Sequence, residues 1–307
     1  MKGLEISERF FKEHGLPMIH EKLGNYKDRI AAGLVGDGSE CYGFDDEISR
    51  DHDWGPSFCL WLNKNDYAEI GQLLQAEYNK LPQTFEGFQR KISAWGEGRI
   101  GVFETGEFYK KFIGTERVPE NADEWLSLPE SYLAACTNGR VFYDPLGEFT
   151  QFRNRLLEFY PEDVRLKKIA ARCMSIAQAG QYNFMRCVKR REHVAAQYAE
   201  TKFYADTISL VFLLNKKYTP FFKWMHRAVK DLPILGGAAY KTILESVLAH
   251  DYNKKYRLIE EICASIITEF KKQGLSEAGS SFLLDHGPVI QAKIKDPKLR
   301  EMNVWMG

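Results

Sequence analysis

The chain has 307 residues, 44% of them hydrophobic and 27% charged, so it is long enough for two ordinary domains and too apolar to be disordered. Its 42 Lys and Arg balance its 42 Asp and Glu. Zero net charge argues against a chain whose main business is coating nucleic acid, although a local basic patch stays open. The six cysteines, at 41, 59, 136, 173, 187 and 263, form no C-x-x-C pair, which speaks against a zinc site or a disulfide framework and fits a reducing cytoplasm. The first residues, MKGLEISERFFKEHGLP, lack the apolar core of a signal peptide, and no apolar run approaches the ~20 residues that cross a bilayer. A soluble, cytoplasmic protein is expected.

In chain order, Ser7 to His14 reads as a short helix with Phe10 and Phe11 inward, broken by Gly15-Leu16-Pro17. Arg29 to Val35 reads as a first strand running into a Gly36-Asp37-Gly38-Ser39 turn. Asp45, Asp46 and Glu47 read as a solvated acidic loop, and Asp51 to Leu62 as a second strand. Asn63 to Leu81 carries apolar residues at helical spacing (Ile70, Leu73, Leu74, Tyr78). Arg99 to Thr105 alternates like a third strand, with Ile100, Val102 and Glu104 on one face. Thr137-Asn138-Gly139-Arg140 reads as a turn before a strand, Val141 to Asp144. From about Gln151 long helical periods take over: Asp163–Ala179, Phe184–Leu214, Pro220–Lys230, Ala238–His250 and Asn253–Gln273. The expected fold class is α+β: an N-terminal domain, residues 1–150, with a small mixed sheet, followed by a C-terminal helical bundle, residues 151–307.

The stretch from Leu34 to Leu62 carries the candidate chemistry. On a strand, residues i and i+2 face the same way, so Asp51 and Asp53 would project side by side. Two such carboxylates repel, and a divalent cation between them removes the cost. Mg²⁺ favours one or two carboxylates plus substrate phosphates. The small Gly38-Ser39 pair upstream lets a phosphate approach backbone N–H groups, with the Ser39 hydroxyl beside it. In the helical half, Arg186 and Arg190 are i, i+4 neighbours suited to an anion such as a triphosphate. Tyr218 and Lys223 are placed to stack on a base and hold a phosphate.

Gly38-Ser39 followed by Asp51-His52-Asp53 resembles the nucleotidyltransferase superfamily that includes DNA polymerase beta and the aminoglycoside nucleotidyltransferases. The string from Gly36 to Gly55 is similar, more narrowly, to a bacterial family within it described only as a domain of unknown function. That likeness extends through Gln181-Tyr182-Asn183 and from Asn215 to Trp224. The resemblance implies Mg²⁺-dependent transfer of a nucleoside monophosphate, AMP from ATP first among the NTPs, to a hydroxyl or phosphate acceptor with release of pyrophosphate. It implies two Mg²⁺ ions held by Asp51, Asp53 and a third carboxylate from an adjacent strand, for which Glu104 is the choice and Glu107 and Asp144 are rivals. The acceptor is open among small molecules, protein side chains and RNA, with a small molecule favoured. The alternatives are a non-catalytic nucleotide-binding or regulatory protein of the same fold, and an enzyme acting on tRNA or other RNA ends.

Overall fold

The computed structural model describes every residue except Trp95. In chain order its elements are α1 (Gly3–Phe10), α2 (Leu16–Lys22), β1 (Ala31–Leu34), β2 (Cys59–Leu62), α3 (Lys64–Asn79), β3 (Thr84–Phe85), β4 (Phe88–Gln89), β5 (Gly101–Glu104) and α4 (Thr105–Ile113). These are followed by α5 (Ala122–Ser127), α6 (Glu130–Thr137), β6 (Arg140–Tyr143), α7 (Glu148–Leu157), α8 (Glu162–Ile176), α9 (Met185–Lys189) and α10 (His193–Leu214). The last are α11 (Phe222–Val229), α12 (Gly236–Leu248), α13 (Tyr252–Lys272), α14 (His286–Gln291) and α15 (Pro297–Glu301). The fold is α+β. It divides into two compact units: residues 1–119 with 132–158, and residues 120–131 with 159–307. Among the described residues no helix is long and apolar enough to cross a membrane.

The first unit is built on a mixed four-stranded sheet in the order β5-β2-β1-β6. β1 runs antiparallel to β2 and to β6, and β2 runs parallel to β5. Alternation on β2 buries both faces. Leu60 and Leu62 join Ile6, Phe10, Phe58, Ile70 and Leu74 in one core cluster. On β2's other face Trp61 stacks on Phe149 at 3.8 Å and meets Phe108 edge-on. β5 lies at the sheet edge, and its Val102 N–H donates to Gln75 Oε1 of α3 at 2.9 Å, so this edge donor is not left orphaned.

Three expected boundaries move. The first helix is not broken at Gly15: α1 passes through a π-helical turn, Phe11–Gly15, into α2. Pro17 is accommodated in the first turn of α2, where a missing N–H costs little. Phe184–Leu214 is not one helix, because Arg191 at φ +64° separates α9 from α10. The third change concerns β2, which begins at Cys59 and not at Asp51.

The second unit packs α10, α14 and a π-helical segment, Ala177–Phe184, around α8. Glu130 anchors a buried polar network there. Its carboxylate accepts from Ser209 Oγ at 2.9 Å and Thr219 Oγ1 at 2.6 Å, and pairs with Arg172 Nη2 at 3.2 Å.

Candidate functional site

The site is set by what the chain does on leaving β1. After Val35 the backbone enters Gly36 at φ +139°, a value open to glycine. Asn138 clamps this residue from both sides: its Oδ1 accepts from the Gly36 N–H at 3.0 Å, and its Nδ2 donates to the Gly36 carbonyl at 2.7 Å. Gly38 admits no Cβ, which would stand 2.6 Å from Arg99 Nη2 and closer still to Glu40. A single helical turn, Glu40–Tyr42, follows. Ser39 Oγ donates to Glu40 Oε2 at 3.4 Å.

Between that turn and β2 lies the Asp-x-Asp. Gly55, at φ +124° where an added Cβ would stand 2.7 Å from the Gln89 carbonyl oxygen, and Pro56, which has no N–H, keep the strand from starting earlier. Asp51 and Asp53 are therefore not on one pleat. Asp51 is 61% exposed, with Oδ1 2.6 Å from His52 Nδ1. Asp53 sits at φ +49° and turns inward. Its carboxylate accepts from the Ser93 N–H at 2.7 Å and Ser93 Oγ at 2.8 Å, and lies 3.7 Å from Arg99 Nη1. Burial works against that carboxylate, but the two Ser93 bonds, Arg99 and His52 together hold it below the ordinary aspartate range.

Arg99 is the hub. One end of its guanidinium faces Asp53, and Nη2 lies 3.6 Å from Glu40 Oε1. Burial pushes the Glu40 carboxyl up, against the opposing pull of Arg99. Asp37, at the solvent edge, is also pushed up by the protein crowding it, with Arg99 again opposing. These groups line a pocket of about 230 Å³ together with the Gly36–Gly38 turn, Gly96, Gly98, Lys111, Phe112 and Tyr132. Lys111 is held there by the Gly98 carbonyl at 3.3 Å and lies over the Phe103 ring at 4.5 Å. Cys41 and Cys59 are buried, which pushes both thiols up, Cys59 to about 12, and makes them poor nucleophiles.

The third carboxylate is committed elsewhere. Glu104 ends β5 and caps α4, its two oxygens accepting from the Gly106 N–H at 2.8 Å and the Glu107 N–H at 2.6 Å. Of its rivals, Glu107 pairs with Lys110 at 3.0 Å, and Asp144 accepts from the Gly147 and Thr150 N–H groups in a turn. Among the described residues no group of three or more His, Cys, Asp or Glu is placed to hold a metal ion. Asp51, Asp53 and Glu104 in this arrangement do not fit a shared Mg²⁺. Asp45 is not solvated either: it is buried, and Oδ2 accepts from the Gly3 N–H and Trp54 Nε1.

In the second unit Arg186 and Arg190 flank one turn of α9, with the Arg186 guanidinium 4.6 Å from the Tyr182 ring centroid. Tyr218 is buried against Phe159 and Tyr160 and presents no face to a base. Lys223 lies over the Trp224 ring at 4.9 Å. The first pair precedes α10 and the second follows it, and a 22-residue helix spans roughly 33 Å, so these four residues do not form one site.

The family described as "Domain of unknown function (DUF4037)" matches residues 125–225. The match contains the Glu130 network, Gln181-Tyr182-Asn183 and Asn215–Trp224, and leaves out the Gly36–Gly55 string. No curated protein matches the chain. Among solved structures, a nucleotidyltransferase-like protein from Exiguobacterium sibiricum 255-15 is similar, at 10% identity over 89% of this chain and 81% of that one, with a TM-score of 0.34.

Of the expected residues, Gly38 and Asp53 line this pocket, while Arg99, Glu40 and Asn138 were not among those expected. Asn138 lies 102 positions from the Gly36 it clamps, beyond the reach of any spacing rule. Arg99 was visible only as the first residue of a strand-like run.

Proposed function

We propose that the first unit binds a nucleoside triphosphate in the Arg99 pocket and is a nucleotidyltransferase, moving a nucleoside monophosphate, AMP from ATP first, to a hydroxyl or phosphate acceptor. The observation that carries this is the Arg99 guanidinium held between the Asp53 and Glu40 carboxylates beneath a glycine turn. The order Gly38-Ser39, then Asp-x-Asp, supports it through the resemblance above. Phosphate oxygens arriving at the turn compete for Arg99, which pairs with phosphate as readily as with carboxylate. Lys111 adds a second cation at the wall.

Once Arg99 turns to the phosphates, Glu40 is left buried with a raised affinity for a proton. It is the group suited to take the acceptor's proton. The acceptor oxygen then bonds to the α-phosphorus, the bridging P–O bond breaks, and pyrophosphate leaves with that electron pair.

A second reading, a nucleotide-binding regulator of the same fold, is favoured by the commitment of Asp51, Asp53 and Glu104 to His52, Ser93 and a helix cap. Calorimetry with each NTP, beside a pyrophosphate-release assay using α-labelled NTP and cell extract, separates the two. Binding with labelled acceptor is the expected result. Binding without release gives the regulator, and no binding of any NTP overturns both.

A further inference from the structure

We propose that the segment Lys216–Lys230 of the second unit is a binding site for single-stranded nucleic acid. It does not rest on the Arg99 pocket. Within a chain of zero net charge, these residues contain five Lys and Arg and no Asp or Glu. Folding sorts them. α11 spends its apolar side on the protein interior, burying Trp224 and Val229, and leaves Lys223, Arg227 and Lys230 at the surface; Lys217, ahead of the helix, is exposed too. Lys216, also in the segment, pairs with Glu162 at 3.5 Å. Three of the exposed cations are steadied over aromatic rings: Lys223 and Arg227 on Trp224 at 4.9 and 5.4 Å, and Lys230 on Tyr240 at 5.6 Å.

At the entry to this helix two large apolar side chains remain outside. Phe221 is 49% and Phe222 70% exposed, with ring centroids 4.3 Å apart. Exposed rings among cations supply both things an unpaired strand needs, a face for base stacking and charge for its phosphates. An anionic membrane would want the apolar face of an amphipathic helix. Here that face is already buried, and only the two phenyl rings are left over. Base stacking needs no more than a ring face. Duplex readout is disfavoured because the unpaired bases are what the rings would hold.

Anisotropy of a short fluorescein-labelled oligouridylate, titrated with the full chain over a range of NaCl, tests this. Saturable binding is expected, with log affinity falling against log salt at a slope of about −2 for contact by the three exposed lysines Lys217, Lys223 and Lys230. Phe221→Ala/Phe222→Ala is expected to weaken binding roughly tenfold or more while the slope stays. Lys217→Glu/Lys223→Glu/Lys230→Glu is expected to weaken it and flatten the slope by about 2. Circular dichroism checks that both variants fold. Absence of saturable binding overturns the proposal. So does equal binding by both folded variants, or association with phosphatidylserine vesicles that depends on the two phenylalanines while oligouridylate binding does not.

Discussion

Arg99 Nη1 stands 3.7 Å from Asp53 Oδ2, so the carboxylate expected to grip a metal instead faces a fixed cation of the same chain. The same guanidinium reaches Glu40, which makes it a neutralising bridge between two acids that would otherwise repel. On the proposed function this bridge would act as a lock, the acids being held until incoming phosphates, with more negative charge than a carboxylate, draw the guanidinium away.

Arg99→Met is expected to remove the lock and the phosphate partner together. ATP binding should weaken about tenfold or more, the scale of a lost charge-assisted hydrogen bond. Arg99→Lys should restore only part of it, because one ammonium lacks the planar fork that spans two partners. Calorimetry reads both. Carbon-detected titration of Asp53 should show its carboxyl moving up in Arg99→Met, since Arg99 is one of the groups holding it down. An unchanged Asp53 titration and unchanged ATP affinity would remove Arg99 from the site.

Glu104→Ala separates a helix cap from a catalytic carboxylate. The side chain satisfies two of α4's orphan N–H groups, so its loss should cost about 0.5–2 kcal/mol of stability. Urea unfolding measures this. Glu104→Asn or Glu104→Asp should recover part of the loss. A fall in transfer rate with no change in unfolding midpoint would return Glu104 to catalysis.

How much of this was legible in the sequence depends on distance along the chain. The α+β class, the helix after Asn63 and the strand at Gly101–Glu104 follow from local periodicity; the cap of α3 is a structural finding, the Asn63 side chain accepting from the Asp66 N–H. The expected placement of Asp51 and Asp53 on one strand does not hold, for a local reason. Gly55-Pro56 stands between the pair and the apolar run Phe58–Leu62, and proline contributes no N–H to a ladder. The bonds that decide the site join Asp53 to Ser93 and Gly36 to Asn138, and such pairings emerge only from the sheet order.

Lys167 gives a pH dependence of known sign. It is fully buried, donates to Gln291 Oε1 and the Asn303 carbonyl at 2.7 Å each, and has its pKa pushed down by burial to about 8. Between about 8 and the ordinary 10.5 the unfolded chain holds a proton that the folded chain lacks. Stability therefore rises with pH across that window, and the burial penalty is fully present below it. In urea unfolding, wild type should gain on Lys167→Met as pH climbs from about 8 to 10.5. A gap between the two that stays constant with pH would mean that Lys167 keeps its charge inside the fold.

Lys255 and Glu200 form an enclosed ion pair in the second unit. Lys255 Nζ lies 2.6 Å from Glu200 Oε1, the two side chains are 11% and 3% exposed, and Tyr204 OH also donates to Glu200. Tyr204 in turn reaches Ser246 Oγ of α12 at 2.6 Å, so the pair ties α10, α12 and α13 together. Lys255→Met leaves a buried carboxylate with a hydroxyl as its remaining partner and should cost about 3–5 kcal/mol. Lys255→Met with Glu200→Leu removes both charges, and should cost less than the single change because no uncompensated carboxylate remains. Urea unfolding of the two single variants and the double one yields the coupling energy. A double variant as unstable as the sum of the singles would show that the pair acts through packing, with no charge coupling between Lys255 and Glu200.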